Sequence, residues 1–149
     1  PMAAEAVDPA FPVTSTLALG GVDDATVPFE RTKKAYLATT GRKRLVGLGN
    51  AGHLAFTDLC RIDGSDADLL TLAKAWGITI PPGTEPLFKK LATDGCGASQ
   101  LAPDEGVRVV KTVTAAVLEE TLHCRGGGLD VLVDVKKDAA VAVYESALQ

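Results

Sequence analysis

Within this chain of 149 residues, Asp24 and His53 are the pair whose types and placement could carry chemistry. Asp24 closes the strand-like run Thr16-Leu17-Ala18-Leu19-Gly20-Gly21-Val22-Asp23-Asp24. His53 follows the strand-like Arg44-Leu45-Val46-Gly47-Leu48-Gly49, after the turn Asn50-Ala51-Gly52. An acid after one strand and a histidine after the next can meet at the same edge of a parallel sheet. There an imidazole moves a proton while a carboxylate fixes its tautomer. These are two members of a nucleophile–histidine–acid triad in the chain order nucleophile, acid, histidine. The third member is missing. The sequence holds no G-x-S-x-G, and none of Ser15, Ser65, Ser99 and Ser146 has the small-residue flanks of a nucleophile elbow.

The elements that must position this pair can be read from the patterning. Residues 1–12, rich in proline and alanine, read as a connecting segment. Val13 to Gly20 is a short, apolar, β-branched run that fits a buried strand. From Phe29 the period becomes helical through Lys33, Tyr36 and Leu37, ending near Gly41. Lys43 to Leu48 reads as the next strand, and Leu54 to Cys60 as a short helix just past the histidine. Strand, helix and strand in this order make a βαβ unit over residues 13–60, which predicts an α/β fold with a parallel sheet.

Residues 61–128 read as helical. Asp66 to Trp76 stops at Gly77, Pro81-Pro82-Gly83 is a turn, and a short helix follows around Glu85 to Ala92. Pro103-Asp104-Glu105 opens the strongest helix, with Val109, Val110, Val113, Ala116, Val117 and Leu122 on the helical period. In the tail, residues 129–149, Ala139 to Tyr144 fits either an edge strand or a helix. The whole chain reads as a single unit.

Composition narrows the class. Apolar residues make up 46% and charged residues 23%, as in ordinary globular proteins. A net charge of −4 and 5% aromatic content argue against a nucleic-acid surface, which needs a basic footprint and stacking rings. No apolar run approaches a membrane span. The start, Pro1-Met2-Ala3-Ala4-Glu5, lacks a basic n-region, and a chain beginning with proline is expected to be a processed product or a piece of something longer.

The segment Gly47-Leu48-Gly49-Asn50-Ala51-Gly52 admits two readings. It matches G-x-G-x-x-G after a strand, as in a dinucleotide-binding oxidoreductase module whose glycines let a pyrophosphate approach the backbone. Asp63, Asp66 and Asp68 lie near the distance expected for a ribose-binding acid, but in a loop and not at a strand end. In the other reading the glycines turn the chain sharply and present His53 at the sheet edge. His123, late in the long helix, reads as a surface or capping residue.

Two segments, Thr16 to Pro28 and Gly49 to Phe56, together resemble the C-terminal half of an α/β-hydrolase. In that family a strand ends in a G-x-x-D-x-x-x-P-like turn carrying the acid, and the next strand is followed by the catalytic histidine. The details are most similar to secreted bacterial dienelactone hydrolase, polyester hydrolase and platelet-activating-factor acetylhydrolase enzymes. Ala51 to Cys60 and Leu91-Ala92-Thr93-Asp94-Gly95-Cys96 also resemble segments of that group. The resemblance covers roughly residues 12–122. It implies the last parallel strands and flanking helices of the fold, with Asp24 as acid and His53 as base of a Ser–Asp–His triad. Asp23 competes for the acid role, but Pro28 falls four positions after Asp24, as the family's proline commonly does.

An ester hydrolase is implied, acting on a small-molecule or polymeric ester, with Leu54 and Phe56 as pocket candidates and core packing the favoured role for Trp76. No cofactor, metal, nucleic acid or membrane span is expected. Because elbow and oxyanion hole precede the acid strand in this fold, both are expected on an N-terminal chain or segment outside this sequence. The chain alone is then inactive, a subunit or fragment that leaves an unpaired sheet edge. A non-catalytic interaction module is the remaining alternative. The resemblance also implies a Cys60–Cys96 disulfide and hence a secreted or periplasmic location, whereas buried free thiols are the plain alternative. Cys124 is left free or bonded to a cysteine of the partner chain.

Overall fold

A computed structural model describes residues 15–57, 59–61, 73, 75–97, 99–123 and 127–148. Strand β1 (Ser15–Gly21), helix α1 (Phe29–Ala38) and strand β2 (Arg42–Leu48) form the expected βαβ unit. β1 and β2 pair in parallel from Ser15↔Arg42 to Gly21↔Leu48. Their C-terminal ends therefore lie side by side, which places the Asp24 and His53 loops on one edge of the sheet.

The sheet is mixed, not wholly parallel. A third strand, β3 (Val141–Ala147), runs antiparallel to β2 on the side away from β1. The tail thus takes the edge-strand form of its two readings. Helix α3 (Pro103–His123) and helix α4 (Gly127–Val135) pack against each other, and this helical pair brings the chain back alongside β2. Before them comes α2 (Glu85–Thr93), close to its expected bounds. Past the histidine there are two 3₁₀ turns, His53–Phe56 and Leu59–Arg61, where one short helix was expected. The expected connecting segment, most of the Asp66–Trp76 helix, Ser65 and Cys124 lie outside the described residues.

Strand alternation sends β2 side chains to opposite faces. Val46 and Leu48 join Val109, Val113, Ala116 and Val117 of α3 in the larger core cluster. Leu45 joins Phe29 and Tyr36 of α1 on the other face, with Ala18 and Val143 against them. Gly20 and Gly47 are direct partners across β1 and β2. A Cβ on Gly47 would stand 2.7 Å from Phe29 Cζ, and one on Gly20 3.0 Å from Phe29 Cδ2. The paired glycines make a trough that the Phe29 ring fills, and this seats the first residue of α1 on the sheet. At the other end of α1, Lys43 Nζ donates to the Thr39 carbonyl (2.8 Å) and sits 4.9 Å from the Tyr36 ring centroid. A cation there complements the negative end of the helix dipole.

On α3, Leu122 is exposed, contrary to its place in the apolar series. At 3.6 residues per turn it points roughly 140° away from Val109. The buried face is continued instead by Glu120, which meets Arg44 of β2 at 2.6 Å and also contacts Arg42. Arg44 is 2% exposed. Its approach to Glu120 lacks hydrogen-bond alignment, so the interaction is a buried charge contact.

Candidate active site

β1 does not stop pairing abruptly. Val22 N–H donates to the Leu48 carbonyl (2.9 Å) and Asp23 N–H to the Ala51 carbonyl (3.2 Å), so the two loops stay zipped beyond the strands. Gly21 permits this approach, because a Cβ there would collide with the Ala51 carbonyl oxygen. Asn50, with φ of 51°, makes the tight turn after β2, and its carbonyl accepts from Leu101 N–H at 2.7 Å. Asn tolerates this left-handed conformation better than most residues.

The carboxylate of Asp24 is largely buried, with its side chain 7% exposed. Oδ1 accepts from the N–H groups of Thr26 (2.8 Å) and Val27 (2.6 Å), an Asx-type turn that fixes the carboxylate plane. Oδ2 lies 3.0 Å from Nδ1 of His53. A carboxylate can only accept, so Nδ1 carries the proton and Nε2 of the neutral ring is left as an acceptor. The His53 side chain is 38% exposed, and among the described residues no hydrogen bond is made by Nε2. Asp23, one residue away, is exposed and makes no contact with the imidazole among the described interactions. Geometry therefore separates the two aspartates.

His53 is held by its main chain. Its N–H donates to Oδ1 of Asp94 (3.2 Å), and Leu54 N–H donates to the Asp94 carbonyl (2.7 Å). The other carboxylate oxygen of Asp94 accepts from Ala25 N–H (3.1 Å) and Thr26 Oγ1 (2.7 Å) on the acid loop. Asp94 is 5% exposed. Gly52 has no room for a side chain, since a Cβ would strike Asp94 Oδ1 and lie 2.5 Å from Gly95 N. Gly95, at φ of 108°, presses against Leu54 N and Ala55 N, each 2.7 Å from its would-be Cβ. Its N–H donates to Gln100 Oε1 (2.8 Å). Cys60 and Cys96 form a disulfide across a separation of 36 residues, with Cα atoms 5.3 Å apart. The bridge ties the turn after His53 to the segment carrying Asp94.

The other anticipated site residues are placed less centrally. Leu54 is buried, and Phe56 packs half-buried on the larger core cluster, so much of each side chain is committed to packing. Trp76, expected mainly in the core, is exposed, as are Ile78 and Leu87. Glycines 47, 49 and 52 all face protein: Phe29, Ala142 Cβ at 3.3 Å, and Asp94 respectively. Among the described residues no group of three metal-ligating side chains converges, and no helix is long and apolar enough to cross a membrane. Sequence reasoning missed Asp94 as a site residue. Its available signal was the Asp-Gly-Cys run, in which a turn glycine adjoins a bridging cysteine. No family model, curated protein or solved structure matches the chain.

Proposed function

We propose that this chain supplies the acid and base of a serine-type ester hydrolase of α/β-hydrolase type, with the nucleophilic serine and oxyanion hole on an N-terminal chain or segment outside this sequence. The observation that carries the reading is the Asp24–His53 pair, joined through Nδ1 at 3.0 Å, with the His53 side chain left partly exposed beside a largely buried carboxylate. In that reaction Nε2 takes the serine proton as oxygen attacks the ester carbonyl, then returns it to the leaving alcohol. Asp24 holds the ring in the Nδ1–H tautomer and stabilises the imidazolium formed midway. The substrate is a small-molecule or polymeric ester.

Two further observations support the reading. Among the described residues β1 pairs only with β2 and no described strand lies on its outer edge, where a further strand could add. The Cys60–Cys96 bridge fits an oxidising, secreted or periplasmic setting. The packing of Gly47, Gly49 and Gly52 against protein speaks against the dinucleotide alternative, whose glycines must leave their faces free for pyrophosphate.

A fluorophosphonate probe applied to the protein as purified from its source tests the proposal. The label should appear on a serine outside residues 1–149, and His53→Ala should abolish it. Labelling that survives His53→Ala would sink the reading, and so would labelling of a serine within the chain.

A further inference from the structure

Asp94 is a buried carboxylate with no part in the proton relay, yet it touches both halves of it. Oδ1 accepts from the His53 main chain, Oδ2 accepts from Ala25 and Thr26, and its carbonyl accepts from Leu54. These partners lie 40 to 69 residues away along the chain. Among the described hydrogen bonds Asp94 makes none to the imidazole ring, and Asp24 accepts separately from Thr26 and Val27.

We propose that Asp94 is a positioning residue that clamps the acid loop to the histidine loop and so sets the Asp24–His53 distance; this rests on the triad reading above. The chemistry of the side chain explains why a carboxylate is needed. All its contacts are donors, on both oxygens, so each oxygen must accept. Asparagine keeps the shape but replaces one oxygen by NH₂. With Oδ1 toward Ala25 and Thr26, the amide nitrogen faces the His53 N–H, donor against donor. Turned over, it faces Ala25 N–H instead. Either orientation releases one loop. Glutamate would push one more methylene into a space where Asp94 Oδ1 already crowds the place of a Gly52 Cβ. Gly95 and the Cys96 bridge fix the backbone that aims this carboxylate.

The test is Asp94→Asn in the protein as purified, read in two independent ways. Nitrogen-15 spectra of His53 should show a protonated, slowly exchanging Nδ1 in the wild type. In Asp94→Asn that proton signal is lost and the two ring tautomers mix, while the far-ultraviolet spectrum stays native. Ester hydrolysis should fall about 100-fold in kcat with KM unchanged, as expected for misplacement of catalytic groups by a fraction of an ångström to 1 Å. A folded Asp94→Asn protein with an unaltered His53 tautomer overturns the clamp. If that variant does not fold, Thr26→Val removes one donor and leaves Asp94 in place. It should weaken the Nδ1 proton signal, and an unchanged signal overturns the proposal equally. Hydrolysis that persists in His53→Ala would defeat the triad reading alone, since the ring spectra report on the clamp without any catalysis.

Discussion

Replacing Cys60 and Cys96 together by serine should destabilise the protein by about 4 kcal/mol. The figure comes from the 36-residue separation that the bridge closes, put into the loop-constraint relation for cross-linked unfolded chains. For a domain of this size each kcal/mol moves the midpoint by a few degrees, so thermal melting should drop by about 8–16 °C. The loss has a local signature too. The bridge holds Cys96 two residues beyond Asp94, and Asp94 accepts from the amides of His53 and Leu54. Amide hydrogen exchange at those two positions should accelerate more than at Leu45 or Val46, which are fully buried in β2. Circular-dichroism melting and exchange mass spectrometry of the double variant give both readouts. A melting shift under about 2 °C would refute the loop-constraint estimate. Uniform acceleration throughout the sheet would refute the local coupling.

Other perturbations reach different parts of the molecule. Asp24→Asn preserves shape but permits the wrong imidazole tautomer, and kcat for ester hydrolysis should fall about 10⁴-fold in steady-state assays. Glu120→Ala strands the Arg44 guanidinium, 2% exposed, without its carboxylate, and urea denaturation should show a loss of about 3–5 kcal/mol. Replacing both Arg44 and Glu120 by leucine should come out near neutral, since the buried pair repays little beyond its own desolvation. Asp138 is held below the usual carboxyl range by the Ala140 N–H, with burial opposing and Arg108 assisting. A group whose folded value is depressed stabilises above the unfolded value, near pH 4, and that stability is lost as pH falls through the folded value. Asp138→Asn should therefore flatten the stability profile below about pH 4, measured by denaturant midpoints across pH.

Local patterning was enough for the βαβ unit. The apolar run of β1, the helical spacing from Phe29 and the run into Leu48 each express a single period, and the observed bounds follow closely. The long helix was legible for the same reason, while Leu122 was misplaced because a list of apolar positions ignores their phase. Asp24 and His53 were visible because each follows a strand end. Other features depend on partners distant in sequence. Glu120 looks like a solvent-facing acid until Arg44 is found beneath it, and Asp94 looks like a helix-ending turn residue until both loops converge on it. The direction of β3 depends on how α3 and α4 reverse the chain, and no period in residues 139–147 encodes that. Glycines 47, 49 and 52 spell a nucleotide motif in one dimension and form protein contacts in three.

The trough made by Gly20 and Gly47 has a consequence for the acid loop. With Phe29 seated in the trough on the sheet and Gly21 zipped to the histidine loop, the span from Val22 to Pro28 is anchored at both ends. A short span between two fixed points has few conformations to choose from, so little freedom remains to be lost when a substrate arrives. Asp24 is preorganised by an aromatic ring it never touches, and the entropy of aiming its carboxylate is spent during folding.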